Sequence, residues 1–281
     1  MTRSTPIQVD LAWGDEIRGS QDRAAGTVAV PVDVLRASTT IATALAWGAR
    51  QVTVVRDMDD VPAVAATRAW PVITAGEDAG LPDDRCDTLS SPSELARLLQ
   101  VKAGAEVILR TTNFARVVVD AARCAEHVVA GGVVSAAAAA RAIAALRPER
   151  VLLVPCGTHR LQQFPAALET PLRSAEDAVG AMAVLMRLRE HAPTVLTAAV
   201  RQLWDLWEPV LGSPSCVAAV VSGTDYAEYM RRLPDAGHDE PAIHRRDIEL
   251  CARLDDLPVA PVLSRVEGVE HVFEASRNGE L

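Results

Sequence analysis

Several short segments of this chain combine hydroxyls, arginines and carboxylates in the way that phosphate chemistry requires. Asp33-Val34-Leu35-Arg36-Ala37-Ser38-Thr39-Thr40 sets a carboxylate three residues before an arginine and follows both with three hydroxyl side chains. Parts of the same menu recur in Gly76-Glu77-Asp78, in Arg110-Thr111-Thr112-Asn113 with Arg116 just beyond, in Cys156-Gly157-Thr158-His159-Arg160 and in Ser222-Gly223-Thr224-Asp225. Hydroxyls and backbone N–H groups at a helix N-terminus, backed by arginine, bind anions. A carboxylate beside such a site can hold Mg²⁺ or attack phosphorus. Every piece also has a plainer use. Asp33, Ser38, Thr39 and Asn113 are competent helix caps, and Asp177, three residues after Ser174, can close a capping box. Glu77 can be a solvated loop residue, Asp33 and Arg36 can simply pair, and His159 and Arg160 can lie on the surface. Trp204 and Trp207, three apart, suit helix packing.

Such residues need elements to place them. Apolar, Val-rich runs at 27–33, 51–55, 71–75, 106–110, 127–131, 151–155 and 216–222 read as buried strands, with 259–263 closing or edging the sheet. Helical stretches at 39–49, 59–70, 113–124, 135–146, 174–191, 194–208, 226–233 and 245–254 alternate with them. Ser91-Pro92-Ser93-Glu94 is a strong helix start, with a capping serine, proline at the first position and glutamate at the third. Continuous apolar strands alternating with helices predict an α/β fold of three α/β/α layers around a largely parallel or mixed sheet. No Pro/Gly/Ser-rich linker and no fixed-period repeat interrupts it, so residues 1–281 are expected to form a single elaborated domain. In open α/β sheets ligands bind beyond the carboxyl ends of strands, and most of the segments above follow a predicted strand there.

The charge balance is acidic, 28 Lys and Arg against 37 Asp and Glu, a net −9. Together with the lack of aromatic-basic interleaving, this argues against nucleic acid. It does not argue against small anions: Lys102 is the only lysine among those 28, and arginine is the better bidentate ligand for phosphate. Arg36, Arg110, Arg116 and Arg160 fall just after predicted strands. The five cysteines include no CxxC and make an odd count, so neither a disulfide framework nor a zinc motif is expected, and a reducing cytoplasm is. The N-terminus lacks the basic flank and apolar run of a signal peptide, and no apolar run approaches membrane-spanning length. No GxGxxG follows the first predicted strand, which weakens a nucleotide-cofactor reading.

The segment Val32-Asp33-Val34-Leu35-Arg36-Ala37-Ser38-Thr39-Thr40-Ile41 resembles the hallmark of the 2-phosphosulfolactate phosphatase (ComB-like) family. The resemblance continues in order through Gly76-Glu77, Ser91-Pro92, Thr111-Thr112-Asn113 with Arg116, Ala175-Glu176-Asp177 with Gly180-Ala181, and Asp247-Ile248-Glu249-Leu250-Cys251. It implies a Mg²⁺-dependent phosphomonoester hydrolase acting on a small, doubly anionic substrate on the route to coenzyme M. Asp33 would be the nucleophile that forms an aspartyl-phosphate. Arg36 and Arg116, with Ser38, Thr39, Thr112 and Asn113, would hold the phosphoryl oxygens. Glu77, Glu176 and Asp177 would bind metal or activate water. Leu35 stands where a haloacid-dehalogenase aspartate phosphatase carries its second Asp.

Two departures bear on specificity. The family's Gly-Thr between Asn and Arg is Phe114-Ala115 here, which adds bulk near the expected anion loop. Its Gly-Asn before Ser-Pro is Leu89-Ser90, which loses a carboxamide. These changes leave room for two alternatives: a phosphatase with a changed substrate in a specialised pathway, or a catalytically silent relative that binds an anionic metabolite. No membrane partner is expected, and a homodimer remains open.

Overall fold

The computed structural model describes residues 5–17, 24–78, 81–157, 174–233 and 243–276. In chain order its elements are β1 (Ile7–Leu11), β2 (Ala24–Val32), α1 (Ala37–Ala46), β3 (Val52–Val55), α2 (Asp60–Ala65), β4 (Val72–Asp78), β5 (Leu81–Pro82), α3 (Pro92–Val101), β6 (Glu106–Arg110), α4 (Phe114–Cys124) and β7 (Ala125–Val128). There follow α5 (Ala136–Leu146), β8 (Arg150–Pro155), α6 (Ala175–His191), β9 (Thr194–Leu196), α7 (Ala198–Leu211), α8 (Pro214–Ser222), α9 (Asp225–Arg232), α10 (Ile243–Cys251), β10 (Ala260–Glu267) and β11 (Glu270–Ser276).

The strands divide between two sheets. One runs β7-β2-β8-β1-β9 and is parallel throughout; the other runs β10-β11-β3-β6-β4-β5. In the second, β3, β6 and β4 are parallel and antiparallel strands flank them on both sides. Side chains alternate across each strand and so serve two cores. Along β2, Val28 and Val30 face a core shared with α5 to α8, while Ala29 faces a second core with α1 and α4. The first sheet is thus covered by helices on both faces, the three-layer α/β/α architecture expected. The second sheet lies beyond α1 and α4: Val52, Val54, Val107 and Leu109 face those helices, and Val55 and Ile108 face α2. Helix α1 fits between two sheets because its sequence, ASTTIATALA, is nearly all small; nine of its ten residues are buried.

Residues 216–222, expected as a strand, are helical. Pro214 opens α8 at its first turn, and only Val217 and Val221, four apart, are buried. The valine-rich composition had suggested a β run, but burial follows the helical period. The region 194–208 begins as the short edge strand β9 before α7 starts at Ala198. Residues 259–263 belong to β10, which continues to Glu267 and returns as β11 to pair with β3. Trp204 and Trp207 pack into the first core, as their spacing suggested. Among the described residues, no helix is long and apolar enough to cross a membrane.

Candidate active site

A single pocket gathers strand ends from both sheets. The first sheet brings Asp33, directly after β2, and Gly157, just beyond β8; the second brings Glu77 near the end of β4 and Thr111 and Thr112 after β6. The first turn of α6 adds Glu176 and Asp177, the start of α4 adds Asn113, and Arg36 enters from the start of α1. The pocket therefore lies beyond the carboxyl ends of strands from both sheets, the place where open α/β sheets bind ligands.

The loop after β2 is built around Asp33. Its Oδ1 accepts the Ala37 N–H at 3.1 Å, so the carboxylate does cap α1. The Arg36 backbone N–H also lowers the energy of the carboxylate, and Asp33 lines the pocket. The Ser38 hydroxyl donates to the Asp33 carbonyl at 2.7 Å, and Thr39 Oγ1 donates to the Val34 carbonyl at 3.0 Å. Both hydroxyls shape the loop from beneath, and neither lines the pocket. That corrects the expectation that they hold substrate, because the turn uses them to satisfy its own carbonyls.

Arg36 does not pair with Asp33. Its Nη1 donates to Asp247 Oδ2 at 2.9 Å and lies 3.2 Å from His244 Nδ1, both on α10. Asp247 Oδ1 accepts three further bonds, from Ser91 Oγ at 2.9 Å, Ser93 Oγ at 2.6 Å and Ser93 N at 3.1 Å. A fully buried carboxylate with four donors is well satisfied. Burial works against the Arg36 charge, but Asp247 outweighs it and raises the guanidinium pKa. Arg36 bonds through Nη1, and the other side of its fork has no partner among the described residues. Half is held by the protein and half is open to an anion.

The acids differ in how they are held. Asp177 Oδ1 accepts the Val34 N–H at 2.8 Å and Oδ2 the Gly157 N–H at 3.0 Å, so it ties the loops after β2 and β8 together and does not close a capping box with Ser174. Glu77 accepts the Thr112 N–H at 3.0 Å and its hydroxyl at 3.2 Å. Glu176 lies near the Thr224 hydroxyl, which lowers its pKa somewhat and itself donates to the Val221 carbonyl at 3.3 Å. Burial, opposed by the Ala37 N–H and reinforced by Glu77, pushes Asp33 up to about 6. Burial and the Asp33 charge push Glu176 up to about 7, and burial with both neighbours raises Asp177 well above the carboxylate range. The donor set is all hard oxygen, which suits Mg²⁺. Among the described residues, however, no three such groups converge into a ready metal-binding cluster.

Asn113 lines the pocket without capping α4 through its side chain. Arg116 is turned away: its Nη1 donates to the Gly14 carbonyl at 2.7 Å. Arg110 bonds the Glu77 carbonyl and Asp78. Phe114 does not crowd the site as its bulk suggested. It is fully buried in the second core, with its ring 6.2 Å from Phe273. His159 and Arg160 lie outside the described residues. Sequence reading missed Tyr226, which lines the pocket from α9, and gave Asp247 no role. The one available signal was Asp247 within its late motif; nothing local marked Tyr226.

The comparisons with known proteins agree in name. The profile of a family described as 2-phosphosulpholactate phosphatase matches residues 15–265. A protein of Cyanothece sp. is 33% identical over 247 residues, covering 84% of this chain and 90% of its own length. One of Carboxydothermus hydrogenoformans is 29% identical over 267 residues, covering 95% and 97%, and one of Parasynechococcus marenigrum is 31% identical over 241 residues, covering 83% and 87%. All three are named probable 2-phosphosulfolactate phosphatase.

Proposed function

Since the chain belongs to the 2-phosphosulpholactate phosphatase family, we propose that it hydrolyses the phosphate ester of a small hydroxy acid of the 2-phosphosulfolactate kind, through Asp33. The observation that carries this reading is the placement of that carboxylate. One oxygen is fixed by the Ala37 N–H, and the carboxylate lines the same pocket as Arg36, which is held through Nη1 and has no further partner among the described residues. A nucleophile must be held and yet exposed, and positioning plus charge stabilisation is most of what phosphoryl transfer asks of a protein.

The Asp33 carboxylate attacks phosphorus as the bond to the substrate's alcohol oxygen breaks. The oxygen leaves with a proton and the phosphoryl group stays on Asp33. Arg36 holds the phosphoryl oxygens against the developing charge. Water then attacks the aspartyl-phosphate, releases inorganic phosphate and restores the carboxylate. Asp177 is committed to two backbone N–H groups and Glu77 to Thr112, which leaves Glu176 as the acid best placed to exchange protons in both halves. Asp177 and Glu77 would hold Mg²⁺ through their carboxylate oxygens. Mg²⁺ is commonly bound by one or two carboxylates with substrate phosphate and water completing the shell, so a ready three-residue cluster is not required. Bound there, it would neutralise phosphoryl charge.

With Phe114 packed into the core, the bulk that favoured a silent binding protein is absent from the pocket. The test is phosphate release from 2-phosphosulfolactate, phospholactate and phosphoglycerate, with Mg²⁺ and with chelator. Wild-type protein should release phosphate from at least one ester only with Mg²⁺. Asp33→Asn should lose about 10³-fold or more. Release unaffected by chelator refutes the metal requirement, and wild-type activity in Asp33→Asn refutes the nucleophile.

A further inference from the structure

We propose that the Tyr226 hydroxyl is the donor that receives the substrate's second anionic group, the carboxylate or sulfonate carried beside the phosphate ester. This rests on the phosphatase reading and extends it from phosphorus to the rest of the substrate.

Tyr226 is the second residue of α9 and lines the same pocket as Asp33 and Arg36. Its backbone is fixed: Thr224 Oγ1 accepts the Ala227 N–H at 3.2 Å, and Ala227 and Met230 anchor the helix in the core. Its ring lies 5.8 Å from that of Tyr229. Its hydroxyl, by contrast, takes part in no hydrogen bond among the described residues. A phenol held in place at a pocket wall with an unused donor is a group waiting for an acceptor.

The charge around it says what that acceptor needs. Among the described residues that line this pocket, Asp33, Glu77, Glu176 and Asp177 meet one arginine, Arg36. A substrate with two anionic ends meets that negative field twice. The phosphoryl end would have Arg36 and, if bound, the Mg²⁺ ion. The second end must find neutral donors, and several are already committed: the Ala37 N–H to Asp33, the Thr112 N–H and hydroxyl to Glu77, the Val34 and Gly157 N–H groups to Asp177. The Ser90 hydroxyl and the Asn113 carboxamide also line the pocket, on the side of the strand ends, and Tyr226 alone enters from α9 among the described residues. The Tyr226 hydroxyl is uncommitted. Burial, with Glu77 and Asp33 nearby and Arg36 only partly opposing, raises its pKa, so it stays protonated and donates.

The experiment compares wild type and Tyr226→Phe, which keeps the ring and its packing. Three esters separate the ends: 2-phosphosulfolactate, phospholactate with a carboxylate only, and isopropyl phosphate with neither. We expect KM for 2-phosphosulfolactate to rise about tenfold or more, the usual worth of a hydrogen bond to a charged group, with a much smaller change on isopropyl phosphate. A loss shared by phospholactate assigns the phenol to the carboxylate, and a loss confined to 2-phosphosulfolactate assigns it to the sulfonate. An equal loss on all three, or none, overturns the proposal. Calorimetric binding of sulfolactate is read in parallel. If wild type releases no phosphate at all, the phosphatase reading fails, yet weakened sulfolactate binding in Tyr226→Phe still supports the phenol's role, and unchanged or absent binding refutes it.

Discussion

Two groups of buried carboxylates in this molecule meet opposite environments. Glu106, on β6, is fully buried and accepts from Thr53 Oγ1 at 2.6 Å, Arg68 Nε at 2.9 Å and Trp70 Nε1 at 2.7 Å. Burial opposes its charge, but these donors, Arg68 first, hold its pKa below the ordinary value. Asp33, Glu176 and Asp177 sit at strand ends and a helix start, are buried, form no ion pair among the described residues and repel one another, so their pKa values rise. Burial alone therefore does not mark a reactive acid. What marks it is burial without enough donors, a deficit that a metal ion, a proton or a substrate can fill.

The sharpest way to break this comparison sets a substitution in each group side by side. Glu106→Ala should lower stability by about 3 kcal/mol, because it leaves the Thr53 hydroxyl and the Trp70 indole without their acceptor and takes from Arg68 one of its two carboxylate partners, Glu270 being the other, while kcat stays within a few-fold. Asp33→Asn, expected to cost about 10³-fold in turnover, should leave the thermal midpoint at neutral pH unchanged or raised. Calorimetric melts of both variants decide it; a larger stability loss in Asp33→Asn than in Glu106→Ala would sink the contrast.

A smaller effect tests the pocket's own satisfied carboxylate. Asp247→Asn keeps the shape but removes the charge that holds Arg36. The kcat/KM should fall about 10- to 100-fold, and an unchanged value would show that Arg36 does not depend on Asp247.

The smallest effect is in pH. Measured in chelator, stability should fall as pH rises from about 4 to about 7, since the folded chain keeps protons on Asp33 (about 6) and Glu176 (about 7) that the unfolded chain gives up near their ordinary values of 3.8 and 4.5. Glu106 has the opposite sign. Its contribution is complete above its ordinary value of 4.5 and is lost as pH falls through its lowered folded value. Denaturant midpoints across pH should show the upper trend flattened in Asp33→Asn and the acid limb flattened in Glu106→Gln.

What the sequence made legible follows from what is local. The strand ends and helix starts carrying Asp33, Glu77, Thr112, Asn113, Glu176 and Asp177 were readable, because hydrophobic runs and caps are local signals, and the structure brings all six to one pocket. The division into two sheets was not, since pairing of β11 with β3 is long-range and β1 is only five residues long. The direction of Ser38, Thr39, Arg116 and Phe114 was also hidden: a residue type near a motif does not say which face of the turn or helix it takes. Tyr226 reaches the site from a helix whose sequence looks like any other amphipathic one.

The partnership of Arg36 with Asp247 spans 211 positions of sequence. A chain emerging from its N-terminus completes Asp33, Glu77 and Asp177 long before α10 exists, and until then the arginine lacks its counter-charge. Any nascent or truncated form ending before residue 243 carries a pocket whose cation is unanchored. With Arg36 in the role proposed above, such a form is expected to be inactive, and activity would report on the docking of α10.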